Sequence, residues 1–305
     1  MPAAKTQLVP FDVSPFPYRG MIPEKDKPFL DVQEGERQGH TSPRAGVYWE
    51  NITYSDRRVL LHIPRGFDPR RPAVMVVYLH GNLARLERDV RARQQVPRQV
   101  SESGLNAVLV APQFAVDALD SSAGRFWEPG VFARFLKEAG DKLTRLSGDE
   151  RTREMFAGVP VVIAAYSGGY HPAAWALEVG GANDRVLGVL LLDALYADEE
   201  KFAKWIAQRR PSIFFFSAYG KSARDNNATL QRLLSERNVS FQTALPASLA
   251  KGSVAFLPVV PEVPHNDFVT QAWVADPLKV LLARIPGYSR VAPRPPVAAK
   301  PAKPR

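Results

Sequence analysis

The stretch GVPVVIAAYSGG, residues 158–169, carries an unbroken apolar run into Tyr166, stops at Ser167-Gly168-Gly169, and leads straight into HPAAWALEVGG. A strand without polar alternation is buried on both faces, so the spacing predicts a central strand that turns sharply into a helix at Ser167. Small residues two before the serine (Ala165) and two after it (Gly169) let strand and helix approach closely. A serine at such a turn takes a strained backbone conformation that lifts its hydroxyl above the sheet edge, the geometry of a nucleophile elbow. Ala165 stands where the G-x-S-x-G pattern has its first glycine, and its methyl is the smallest possible intrusion.

Working outward, strands of the same kind recur at 73–82 (AVMVVYLHGN), 106–113 (NAVLVAPQ), 185–193 (RVLGVLLLD), 211–220 (PSIFFFSAYG) and 253–260 (SVAFLPVV). Between them lie helical patterns, among them a polar, arginine-rich helix at 83–103 and a helix over 129–148 that opens at Pro129 and stops at Gly148. Six alternations of strand and helix predict a mostly parallel sheet with helices on both faces: a three-layer α/β fold in one domain. GVYWENITY (46–54) and RRVLLHIPRGF (57–67) read as an opening hairpin. A closed eight-fold barrel needs more units than these, and no G-x-G-x-x-G follows any strand. Residues 1–45, rich in proline and without periodicity, are expected to wrap the body as an extended segment; 46–288 form the domain; 289–305 form a loose basic tail.

The composition is that of a globular protein, with 45% hydrophobic and 23% charged residues in a chain of 305. No apolar run approaches the ~18 residues of a transmembrane helix, so no membrane span is expected. The absence of cysteine excludes disulfides, thiolate metal sites and a cysteine nucleophile. The net charge is +9, of which the acid-free end from Arg290 onward supplies five, leaving a mildly basic body. Nucleic-acid binding is therefore not expected. The opening MPAAKTQLVPFD lacks the apolar core of a secretory signal, so the chain is expected to be cytoplasmic or the mature part of an exported protein. With no H-E-x-x-H, cysteine ligand or phosphate loop, no metal or organic cofactor is expected.

A serine hydroxyl is a poor nucleophile without a base. His40 lies in the extended segment, His62 inside an early strand, and His80 ends a strand in a structural position. His171 follows Ser167 by four residues on the same helix, which is expected to carry it away from the elbow. His265 remains, in the loop VVPEVPHNDF after the last strand, at the sheet edge where Ser167 emerges. The acid should fall between serine and histidine in the chain. Asp193, at the end of RVLGVLLLD, is favoured because a carboxylate there needs a hydrogen-bonding partner; Asp225 is the alternative, and Asp267 or Asp198 stand behind both. The N–H groups of Asn82, in His80-Gly81-Asn82, and of Gly168 are the candidate oxyanion donors, with Leu83 as the fallback for Asn82. Phe126, Trp127 and Tyr166 are the candidate substrate-binding rings, whereas Phe214, Phe215 and Phe216 read as core and the arginines of the 83–103 helix as a solvated face.

Together these residues resemble the α/β-hydrolase superfamily over about residues 46–288. RRVLLHIPRGFDPRRPAVMVVYLHGN looks like the lead-in of secreted-type, polyester and feruloyl esterases, and Ser167-Gly168-Gly169-Tyr170 is also similar to the elbows of prolyl-oligopeptidase-like peptidases. The resemblance implies hydrolysis through a Ser-His-Asp triad of a small-molecule or polymeric ester, with a serine peptidase or amidase and a non-catalytic binding protein of the same fold as rivals. Only 17 residues (194–210) separate Asp193 from the next strand, too few for a cap domain, so an open site is expected.

Overall fold

Alternate residues of each apolar run face opposite sides of one eight-stranded sheet. The computed structural model describes residues 3–290. Its main strands are β1 (Lys5–Pro10), β2 (Arg58–Ile63), β3 (Val74–Leu79), β4 (Ala107–Pro112), β5 (Val161–Tyr166), β6 (Val186–Leu192), β7 (Phe214–Tyr219) and β8 (Val254–Pro258). They are ordered β1-β2-β4-β3-β5-β6-β7-β8. From β4 through β8 neighbours run parallel, while β2 is antiparallel to both β1 and β4.

On β5, Val161, Ile163 and Ala165 pack on one face and Val162, Ala164 and Tyr166 on the other, the period of two that a pleated strand imposes. The first face is covered by helices that carry Phe132 and Phe135, Ala173 to Leu177, Phe202 and Trp205, and Leu230 and Leu234. The second is covered by Leu86 and Val90, Val96 and Val100, and Leu278 to Leu282. Layers of this kind place every β-to-α turn at the same sheet edge. No helix of the described residues is long and apolar enough to cross a membrane.

Three expectations change. The hairpin of 46–54 with 57–67 does not form: Gly46–Trp49 pairs with Arg37–Ser42, a helical turn at Glu50–Thr53 intervenes, and β2 takes β1 as its partner. The 83–103 helix is broken into a wide helical segment, Leu86–Arg93, and a helix at Val96–Glu102, where Gln95 takes a left-handed φ of 50° and Pro97 has no N–H to carry the first segment onward. Its arginines are not simply solvated; Arg88 and Arg93 close on the buried carboxylate of Asp89. Finally, the first 45 residues hold regular structure. Beyond β1 they form a short hairpin at Met21–Ile22 and Lys27–Pro28 and a three-stranded sheet with Gly46–Trp49, and they seat Phe11, Phe16 and Phe29 in the core at 0–1% exposure. At the other end Arg290 is still tied to the body through its N–H to Gly104 O; residues 291–305 of the expected tail lie outside the described residues.

Two buried histidines join these segments. His62 of β2 meets Thr6 Oγ1 of β1 through Nδ1 and Ser101 Oγ through Nε2, both at 2.7 Å. His80 Nδ1–H donates to Gly81 O, and its Nε2 accepts from the Phe114 N–H at 2.9 Å. Burial lowers both rings to about 4 from the ordinary 6.5.

Removing the ring of Phe29, which contacts Phe16, Tyr18, Tyr54 and Trp127, should cost about 3–5 kcal/mol in Phe29→Ala. Urea unfolding checks this, and a loss under ~1 kcal/mol would show that the N-terminal segment adds little to the core. In the unfolded chain His62 and His80 protonate near 6.5, whereas in the folded one they stay neutral to about 4. The unfolded state therefore binds more protons across that window, and stability falls as pH drops from 6.5 to 4, by about 3 kcal/mol per ring. His80→Gln should remove about half of that fall, leaving the part that belongs to His62.

Candidate active site

At the C-terminal edge of the sheet two chain segments, the turns after β3 and β5, come together more closely than side chains would allow. Ser167 has a φ of 52°, a conformation that non-glycine residues adopt only under surrounding constraint. A Cβ on Gly169 would lie 2.3 Å from Leu79 O, and one on Gly81 2.6 Å from Ser167 Cβ. Both glycines are thus required by the approach of the β3 and β5 turns. Ala165, in register with Leu79 and Leu191, is fully buried with its methyl in the core.

The structure brings Ser167, His265 and Asp193 together. Ser167 Oγ lies 2.8 Å from His265 Nε2, and His265 Nδ1 lies 2.6 Å from Asp193 Oδ2. Asp193 is 1% exposed. A carboxylate so buried needs donors, and it has them: the Gly220 N–H reaches Oδ1 at 2.9 Å and the Tyr196 hydroxyl reaches Oδ2 at 3.1 Å. Because an ionised carboxylate only accepts, His265 carries its proton on Nδ1 and turns the Nε2 lone pair to Ser167. A serine at a sharp turn after a central parallel strand, with Asp193 and His265 following in chain order at the same edge of a mostly parallel sheet, is the arrangement of one architecture. The chain has the α/β-hydrolase fold.

Asp225 is not part of this cluster. It is exposed in the first turn of the helix Arg224–Glu236, because β7 ends at Tyr219 and a further turn, Lys221–Ala223, precedes that helix. Asp267 sits in the turn of His265 itself, and Asp198 pairs with a different histidine, His171.

Gly168 lies in the first turn of a helical segment, where backbone N–H groups have no intrahelical acceptor. The Asn82 N–H likewise has none among the described residues, whereas the Leu83 N–H is taken by Ala118 O at 2.9 Å. The fallback donor is therefore already bonded. With its side-chain amide oriented to suit its neighbours, Asn82 donates to Asp120 O at 2.8 Å and accepts from the Arg44 guanidinium; its side chain packs so closely over Gly168 that a Cβ there would meet it at 2.3 Å.

A cleft of about 960 Å³ opens over Ser167 and His265. One wall comes from the N-terminal segment, through Ile22 to Lys25 and His40 to Arg44, and another from Trp127, His171 and Tyr196. Of the three candidate rings only Trp127 lines it. Phe126, with no polar atom, is fully buried against Phe114, Phe132 and Phe135. Tyr166 lies beneath the site: its ring stacks on His265 at 5.1 Å and its hydroxyl donates to His265 O at 3.1 Å, and burial raises its phenol well above the ordinary range. His171 is the opposite case. The helix starts at Tyr170, immediately after the elbow turn, so His171 lies in its first turn at the cleft rather than below it. Tyr196, Arg44 and the Asp120-Ser121 turn carried no sequence signal for this site, since each reaches it only through tertiary packing.

No protein-family model and no curated protein sequence matches the chain. Among solved structures it is similar to a feruloyl esterase module from Clostridium thermocellum complexed with sinapinate, at 14% identity and a TM-score of 0.45, over 88% of this chain and 97% of that one. It is also similar to Thermogutta terrifontis esterase 2 at 9% identity and a TM-score of 0.41, over 66% of this chain and 76% of that one. The S-formylglutathione hydrolase from Agrobacterium tumefaciens matches at 14% identity and a TM-score of 0.39, over 74% of this chain and 87% of that one. These scores lie below 0.5, and the fold rests on this chain's own strands and helices.

Gly169→Ala should disturb the elbow through its backbone contact with Leu79 O, costing more than about 2 kcal/mol. Chemical denaturation checks this; a neutral substitution would mean that β3 and the elbow are not held in such close approach.

Proposed function

We propose that the protein is a serine hydrolase that cleaves carboxylic esters through an acyl-enzyme. The supporting observation is the continuous hydrogen-bonded line from Ser167 Oγ through His265 to a buried Asp193. Ser167 attacks the ester carbonyl while its proton passes to His265 Nε2. The carbonyl oxygen becomes an oxyanion facing the N–H groups of Asn82 and Gly168, donors already fixed in place before charge develops. His265, now an imidazolium held by Asp193, gives the proton to the departing alcohol. Water then enters, loses a proton to His265 and releases the acid, which regenerates Ser167. Asp193 stays ionised and fixes the tautomer, and Tyr196 and Gly220 in turn hold its two oxygens.

The openness of the cleft and the indole on its wall suit an ester whose acyl or alkoxy part is bulky and apolar. Hydrolysis of 4-nitrophenyl butyrate, with the matching anilide as the amide control, tests the reading. Ser167→Ala should reduce turnover of the ester by several orders of magnitude with the fold intact. Asp193→Asn should reduce kcat by about 10³ to 10⁴ through the wrong imidazole tautomer, and Asp225→Asn by less than about tenfold. Retained turnover in Ser167→Ala contradicts the proposal. The reverse ranking of the two aspartates would move the acid to Asp225, and preferential cleavage of the anilide would make the enzyme an amidase.

A further inference from the structure

The cleft holds a second histidine–carboxylate pair that the proposed reaction does not use. His171 Nδ1 lies 2.6 Å from Asp198 Oδ2, and the Trp127 indole Nε1 lies 3.1 Å from His171 Nε2; His171, Asp198 and Trp127 all line the same cleft as Ser167. The protonation state follows from the partners. A carboxylate accepts only and an indole N–H donates only, so both contacts coexist in a single form of the ring, neutral with its proton on Nδ1. An imidazolium would keep Asp198 and lose Trp127.

The surroundings make that loss matter. Trp127 is 6% exposed and its ring edges meet Tyr18 and Phe29, so an indole N–H released by His171 has little water to turn to. From the helix that carries it, His171 faces Tyr170 and Trp175. From the next helix Lys201 bonds Asp198 at 3.3 Å and lies 4.6 Å over the Trp175 ring, and from the N-terminal segment Glu24 reaches Lys201 at 3.5 Å.

We propose that His171 is a specificity-determining positioning residue: with its proton on Nδ1 it accepts from the Trp127 indole and so fixes that ring as the wall on which the apolar acyl or alkoxy group of the ester rests. The substrate half of this statement rests on the ester reading above; the lock between His171 and Trp127 does not.

Two measurements test it. Ring-nitrogen NMR, with His171 assigned by the signals lost in His171→Gln, should show at pH 8 a protonated Nδ1 and a bare Nε2; a proton on Nε2 overturns the lock without reference to any substrate. The KM for 4-nitrophenyl butyrate at pH 8 should be about fivefold higher in His171→Leu than in the wild type, the weight of one hydrogen bond. In His171→Gln, whose amide oxygen can accept from Trp127, KM should stay close to that of the wild type. Equal KM for wild type and His171→Leu, or a KM in His171→Gln as high as in His171→Leu, overturns the proposal. Should ester turnover prove independent of Ser167, the ester reading fails while the NMR result still decides the lock.

Discussion

The site is organised around a carboxylate that cannot be left alone. Asp193 ends an apolar strand in the middle of the sheet and is almost fully buried, where an unpaired charge is strongly disfavoured. Its requirement for donors draws together elements far apart in the chain. The turn after β7 gives the Gly220 N–H, the segment before the next helix gives Tyr196, and the loop after β8 gives His265. Orienting the imidazole is thus the same interaction that makes the buried charge tolerable, and Ser167 lies at the far end of that hydrogen-bonded line.

The elbow solves a complementary problem, one of space rather than charge. Ser167 can stand above the sheet edge only because glycine occupies three crowded places: Gly81 against the side chains of Ser167 and Tyr166, Gly168 against those of Asn82 and Ser121, and Gly169 against the backbone of Leu79. The cleft above is completed by a segment outside the α/β layers. β1 closes the outer edge of the sheet by pairing with β2, and the chain then crosses the site, lays aromatic rings into the core and offers residues 22–25 and 40–44 to the cleft wall. The short connection after β6 leaves room for that arrangement, since it holds one helix and no inserted domain.

The parallel core was legible because each strand from β3 to β8 is a continuous apolar run, and burial on both faces leaves no other pattern. Ser167, His265 and Asp193 were legible as a group through topology: a parallel sheet sends every strand end to one edge, so chain order and strand position were enough to select them. β1 was not, because KTQLVP is an edge strand of half-buried and exposed residues with neither alternation nor an apolar run. His171 and Phe126 were misplaced for a related reason. Sequence locates a turn, but whether the residue one step on faces the core or the cleft depends on where the helix begins, and that is set by packing against Trp127 and the phenylalanines around Phe126. Tyr196 was invisible because its hydroxyl matters only once the loop before the helix Glu199–Arg209 folds back over Asp193.

The central claim is that Ser167 is activated by His265, and covalent trapping tests it most directly. Treating the intact protein with a fluorophosphonate and locating the adduct by peptide mass spectrometry should find it on Ser167 alone, and His265→Ala should remove it while leaving the protein folded. An unmodified Ser167, with the adduct absent or on another serine, would contradict the account.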